Sequence, residues 1–336
     1  MTVDRGNGLG RSERPLQEAY DAGLLDLDGV LYRGQEPVEH AADSVAAARA
    51  AGMRMAFVTN NASRHPETVA AHLTELGIPA GPNEVVTSAQ AAVRLAVTRV
   101  PYGAVALILG TQALAETAAA AGLRPVRTVA EAGAAGVAVV LQGLAPSTSL
   151  ADLSEATVAL RSGALWIAGN ADLTLPSPRG ALPGNGSFVQ VLRSVTGLEP
   201  EIAGKPDPAL HRESVERVAS RRPLVVGDRL DTDVVGAVRG GADSLLVLTG
   251  VTDLWLLATA PRGSRPTFVA PDLRALGQAH PEVQIEAQGR RARCLRAIAT
   301  ADGDRIGLRG SGSDALRALV ALAWARADAG LEVRLA

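Results

Sequence analysis

Leu24-Leu25-Asp26-Leu27-Asp28-Gly29-Val30-Leu31-Tyr32 is the stretch whose reading decides the fold. Leu24 and Leu25 begin it as an apolar run, which reads as a buried strand over residues 22–27. Two carboxylates then follow two residues apart, and Gly29 lets the backbone turn away. Acids at the C-terminal edge of a strand stand where open α/β sheets place their ligands. Two carboxylates this close repel each other, so a positive partner is expected beside them. Mg²⁺ is the simplest candidate, because it takes one or two carboxylates together with substrate phosphate oxygens. Alone, Asp-x-Asp-Gly is also ordinary turn chemistry. The rest of the chain has to decide between the two.

The totals set bounds. A chain of 336 residues holds two domains and an appendage. Hydrophobic residues make up 47% and aromatics 3%, so the cores must be built from Ala, Val and Leu. Net charge is −2 and no basic block stands out, which argues against a nucleic-acid partner. The single cysteine, Cys294, excludes an internal disulfide and a cysteine metal cluster, and fits a reducing cytoplasm. The polar start has no apolar core of a secretory signal, and the apolar runs near 102–110 and 136–144 are too short to span a bilayer.

Taken in order, the pattern is strand and helix by turns. Residues 1–16 read as a disordered lead-in. Strands are expected over 22–27, 53–59, 104–109, 137–142, 165–170, 223–226, 244–248 and 267–269. Helices are expected over 38–51, 66–76, 85–98, 113–121, 150–161, 187–196, 209–219 and 234–239. Such alternation predicts a doubly wound α/β fold with a mostly parallel sheet in each domain. After about residue 278 the pattern changes to possible strands within 283–300 and 305–308, then an Ala/Leu-rich helix over 313–329. That tail is near the lower limit for folding alone, so it is expected to dock on the rest.

Four predicted strand or turn ends carry polar chemistry: Asp26/Asp28, Thr59/Asn60, Lys205, and Asp228/Asp233. In a doubly wound sheet such ends converge on one crevice. Acids, a lysine and a hydroxyl together suit a divalent metal and a phosphoryl group. The sequence has no Gly-x-x-x-x-Gly-Lys-Ser/Thr segment, so a nucleotide P-loop is absent. A carboxylate nucleophile forming an aspartyl phosphate is then the expectation.

The set resembles the haloacid dehalogenase (HAD) superfamily of phosphatases. Asp26-Leu27-Asp28-Gly29 matches its first motif, Thr59 its second, Lys205 in Gly204-Lys205-Pro206-Asp207-Pro208 its third, and Gly227-Asp228 through Asp233 its fourth. The resemblance covers about residues 20–275. Only 33 positions separate Asp26 from Thr59, whereas 146 separate Thr59 from Lys205, room for an inserted α/β cap. That spacing resembles the NagD-like and p-nitrophenyl phosphatase-like subfamily. The wording of Thr59-Asn60-Asn61-Ala62-Ser63 and of Gly169-Asn170-Ala171-Asp172 does too, although Ala171 stands where a proline is usual. The resemblance implies a Rossmann-like core over 17–82 and 188–277, a cap over 83–187, and an extension over 278–336.

It also implies roles. Asp26 is the nucleophile and Asp28 the acid and base. Mg²⁺ is held by Asp26, the backbone carbonyl of Asp28, and Asp228, with Asp233 in support. Thr59 and the Asn60 backbone N–H hold the phosphoryl group, and Lys205 neutralises it. The expected activity is hydrolysis of a small phosphorylated metabolite. Glycerol 3-phosphate leads, because relatives with an extra C-terminal part like a fragment of an acetyltransferase fold act on it. 2-Phosphoglycolate, p-nitrophenyl phosphate and pyridoxal phosphate follow. A phosphomutase or a non-catalytic sensor ranks below these, since the cap follows motif two and every catalytic position is filled. Caps of this kind often pair, so a homodimer through the cap is expected.

Other residues read more plainly. Asn61, Asn170 and Asp172 either touch the substrate or build turns. Asp231 reads as a partner of Arg229, Asp207 as a turn or cap residue, Trp166 as core, and Cys294 as a small buried hydrophobe. His65 and His211 are not needed as acid or base. The tail reads as structural or regulatory, since Arg309-Gly310-Ser311-Gly312-Ser313 makes a poor acetyl-CoA loop.

Overall fold

The computed structural model describes residues 8–175, 180–286 and 289–335. They form two compact units. One is drawn from Met1–Phe57, Leu73–Pro79 and Val215–Ala336, the other from Val58–His72 and Ala80–Ser214.

The first unit is built on a parallel sheet, with strands in the order Phe268–Ala270, Asp243–Val247, Pro223–Gly227, Ala22–Leu25 and Arg54–Thr59. Its register sets Leu25 beside both Val226 and Phe57. Ala22–Leu25 is buried at every position, as a strand covered on both faces must be. The strand is shorter than the run over 22–27, but Asp26 N–H still donates to Val226 O at 2.8 Å. Asp26 is therefore carried on the end of the ladder. Strands lie on both sides of Ala22–Leu25, which makes its C-terminal end a point where the chain's winding reverses. The expected doubly wound α/β fold is present.

The tail belongs to this first unit. Gln284–Ile285, Arg291–Cys294, Ala297–Asp302 and Arg305–Arg309 form an antiparallel sheet, and Arg334–Leu335 adds to it in parallel. Alternate residues Ala292, Cys294, Ala299 and Ile306 point to the helix Gly312–Asp328. Leu319, Val320, Leu322, Ala323 and Trp324 of that helix share one apolar core with Leu246, Leu257 and Val269. Trp324 Nε1–H donates to Leu257 O at 2.9 Å, so even the polar end of the largest side chain is satisfied. The expectation that the tail docks holds, and Cys294 is buried in this core.

The lead-in over 1–16 needs correction. Residues 1–7 lie outside the described residues, but 8–16 are tied down. Gly10 N–H donates to Thr267 O at 2.7 Å, Ser12 pairs with His280, and Leu16 is 0% exposed. The tie is Arg317, itself buried, which donates to Gly10 O at 2.9 Å and to Pro281 O at 2.6 Å and lies 3.0 Å from His280 Nδ1. Arg317 and Gly10 lie 307 positions apart in the chain, so no local pattern reveals the tie.

The second unit has its own parallel sheet, ordered Glu201–Ile202, Leu165–Ala168, Val139–Gln142, Val105–Leu109 and Arg124–Val126. Its core joins Leu107, Leu109 and Val140 to Leu160 and Leu192. Trp166 is core, as read, with its Nε1–H on Gln142 Oε1 at 2.9 Å. The helix expected over 85–98 is instead a strand, Val85–Thr87, and a helix, Ser88–Val97. The boundary had a signal: Thr87 and Gln90 form a reciprocal capping box. Short edge strands such as Arg124–Val126 and Glu201–Ile202 carry too few residues for a period to show.

Candidate active site

The acids come together first. Asp26 ends its strand, Asp228 follows Pro223–Gly227, and Asp233 lies in the wide turn Leu230–Val234 that leads into the helix Val235–Gly240. Their ligand atoms lie within 4.8 Å of one another. Asp228 and Asp233 are each 1% exposed. Buried carboxylates at this distance repel strongly and favour a cation between them. All-oxygen donors suit a hard divalent ion such as Mg²⁺.

Glycines allow this packing. Gly29 has φ +87°, and a Cβ there would stand 2.5 Å from Asp228 Oδ2. A Cβ on Gly250 would stand 1.9 Å from the same oxygen, and one on Gly227 2.2 Å from Asp233 Cγ. Backbone donors then orient the acids. Val251 N–H donates to Asp228 Oδ2 at 2.6 Å, and Arg229 N–H to Asp233 Oδ2 at 3.1 Å. The Thr249 hydroxyl donates to Gly29 O at 2.6 Å, which ties the two glycine loops together. Thr249, Gly250 and Val251 were not singled out in the sequence. The glycine after Asp243–Val247 was the available signal.

Asp28 differs from its neighbours. Burial raises its pKa above the ordinary carboxylate range, against the opposing pull of the Gly34 and Gly29 backbone N–H groups. A carboxyl group biased toward its protonated form is the environment a general acid needs.

The second unit gathers the amides. Thr59 closes the strand Arg54–Thr59 and is buried. Its Oγ1 accepts from Asn61 N–H at 3.1 Å. The Asn60 side chain meets the Lys205 peptide twice: Lys205 N–H donates to Oδ1 at 2.8 Å, and Nδ2 donates to Lys205 O at 3.1 Å. Nδ2 also donates to Asp172 Oδ2 at 3.1 Å. Lys205 is 4% exposed, and the Lys205–Pro206 bond is cis.

Asn170 Oδ1 accepts from Asp172 N–H at 3.2 Å, so that pair forms an Asx turn, and Asn61 forms another by accepting from Ser63 N–H at 2.7 Å. Asp231 pairs with Arg229 at 2.7 Å. Asp207 accepts from Ala209 N–H at 2.9 Å at the start of the helix Pro208–Arg217, as a turn residue does. His65 lies 3.1 Å from Glu116, and His211 is buried within its helix. No helix among the described residues is long and apolar enough to cross a membrane.

Comparison with known proteins agrees with this geometry. A family model described as haloacid dehalogenase-like hydrolase matches residues 23–124, and a second model of the same kind matches 202–276. The chain is 44% identical to a D-glycerol 3-phosphate phosphatase of Mycobacterium tuberculosis over 96% of this chain and 90% of that protein. It is 37% identical to an acid sugar phosphatase of Staphylococcus saprophyticus over 69% of this chain and 88% of that protein. Among solved structures, a glycerol phosphate phosphatase of Mycobacterium tuberculosis in complex with magnesium superposes with a TM-score of 0.82. It is 41% identical, covering 96% of this chain and 94% of that one.

Proposed function

The chain belongs to the haloacid dehalogenase-like hydrolases, and from that premise we propose that it is a Mg²⁺-dependent phosphatase whose substrate is glycerol 3-phosphate. The observation that carries the chemistry is Asp26, fixed at a strand end beside Asp228 and Asp233. The 44% identity to a glycerol 3-phosphate phosphatase supports the substrate.

The Asp26 carboxylate attacks phosphorus in line with the leaving oxygen, and the phosphorus–oxygen bond to the alcohol breaks. Asp28 gives its proton to the departing alkoxide. Asp28, now ionised, takes a proton from water, and the resulting hydroxide attacks phosphorus. Inorganic phosphate leaves, and Asp26 and the protonated Asp28 are restored. Thr59 and the Asn60 N–H hold phosphoryl oxygens, and Lys205 offsets their charge. Asp26, the Asp28 carbonyl and Asp228 would hold Mg²⁺, with Asp233 in support. When bound, the ion screens the carboxylates from one another and stabilises charge on the transferring group. In this reading residues 83–187 are the cap that selects the alcohol and excludes water. Pairing of two copies through the cap and a cytoplasmic location belong to the same reading; the first is measured by sedimentation.

The test is phosphate release from a panel of esters in Mg²⁺. Glycerol 3-phosphate should give the highest kcat/KM, above 2-phosphoglycolate, pyridoxal phosphate and p-nitrophenyl phosphate. A different ester in first place would overturn the substrate, and no release from any of them would overturn the activity.

A further inference from the structure

A lysine that neutralises a phosphoryl group must have its backbone held, because its own side chain is long and flexible. In the second unit the holding group is one side chain. The Asn60 amide accepts from Lys205 N–H and donates to Lys205 O, so it bridges the two peptide groups on either side of the Lys205 Cα. Gly204 makes the approach possible: a Cβ there would stand 2.6 Å from Asn60 Oδ1 and 2.3 Å from Gly169 O.

Flipped, the amide would set Nδ2 against Lys205 N–H and Oδ1 against Lys205 O, so the Lys205 backbone admits one orientation. Asp172 enforces the same one: its Oδ2 accepts from Nδ2 at 3.1 Å, which keeps Oδ1 facing Lys205 N–H. Asp172 is held in turn. Asn170 Oδ1 accepts from Asp172 N–H, and Asn170 Nδ2 donates to Asn60 O at 2.7 Å, which closes a ring of three residues. Ser88 Oγ–H adds a bond to Asn60 O at 2.6 Å, and Asn185 Nδ2 holds Asn170 O at 2.7 Å. Every bond in this ring restrains the others.

We infer that Asn60 and Asp172 are positioning residues for Lys205: the Asp172 carboxylate steadies the Asn60 amide, and that amide fixes the backbone on both sides of the lysine's Cα. This gives the Asn60 side chain a task separate from its backbone N–H, and gives Asp172 one that involves no contact with substrate. The activity side of the claim rests on the phosphatase reading; the structural side does not.

The test is a double-mutant cycle on the full chain in Mg²⁺. Asn60→Asp sets a carboxylate against Lys205 O and against Asp172. It should lower kcat/KM by roughly 10- to 100-fold. Asp172→Asn keeps the shape and loses the charge that steadies the amide, and should cost about 3- to 10-fold. In a Lys205→Met background each should cost less than about twofold, because the residue through which they act is gone. Equal losses with and without Lys205 would overturn the inference, as would full activity in both single variants. If Asn60→Asp does not fold, Asp172→Asn decides alone. Hydrogen exchange at the Lys205 amide reads the positioning apart from turnover. It should be protected in the wild type and exchange about tenfold faster in Asp172→Asn. Unchanged exchange would overturn the claim even if the wild type released no phosphate, an outcome that by itself counts only against the phosphatase reading.

Discussion

In the first unit, Asp26, Asp228 and Asp233 bring ligand atoms within 4.8 Å of one another, three carboxyl groups packed by glycines and a few backbone N–H groups. In the second, Asn60, Asn170 and Asp172 match donors to acceptors around the Lys205 peptide. The first arrangement crowds acidic oxygens in a way that suits a cation. The second joins amides to one carboxylate.

The comparison breaks most visibly at Asp228. Asp228→Asn should lower activity on the order of 10²-fold or more, with the loss partly recovered at high Mg²⁺. The same change relieves repulsion, so without metal the variant should melt at or above the wild-type temperature, and with Mg²⁺ below it. Paired thermal melts check this. Asn60→Asp should show no such crossover, because its network holds no metal.

A second prediction concerns the tail. Burial lowers the His280 pKa from 6.5 to about 4, and Arg317 beside it adds to the effect. The folded protein therefore keeps this ring neutral while the unfolded chain protonates it. Stability on this account is complete above pH 6.5 and falls as pH drops toward 4, by roughly 2–3 kcal/mol. Denaturant melts across that range should show the slope, and His280→Gln should flatten it.

A smaller effect sharpens the account of the acids. A Cβ at Gly250 collides with Asp228 Oδ2, so Gly250→Ala should raise the Mg²⁺ concentration for half-maximal activity by roughly 10-fold or more, about 1.4 kcal/mol. Gly204→Ala should leave that concentration unchanged and act on kcat/KM instead. Smallest is the pair of Arg265 with Asp328 at 2.9 Å, with Arg265 stacked on Trp324. Asp328→Asn should cost about 1 kcal/mol, read as a lower melting temperature with kcat unchanged.

How much was legible in the sequence follows the same division. Asp26, Asp28, Asp228 and Asp233 were readable because each acid follows an apolar strand or a Gly-Asp turn, signals that lie within a few residues. The doubly wound fold was readable for the same reason, strand by strand. The amide ring was only half legible: Asn60, Asn170 and Asp172 were flagged, but their joint dependence on one peptide needs residues more than a hundred positions apart. The ordered start is not legible because Gly10 is fixed by Thr267 and Arg317 and Ser12 by His280, which no local window contains. Gly250 escaped notice because a glycine's importance is set by what approaches it.

The measurement that tests the central claim is phosphate release from glycerol 3-phosphate by the wild type and by Asp26→Asn, each in Mg²⁺ and in EDTA. Release by the wild type in Mg²⁺ only, with none from Asp26→Asn under either condition, is the predicted result. Release that persists in Asp26→Asn would contradict it, since the nucleophile would then be another group.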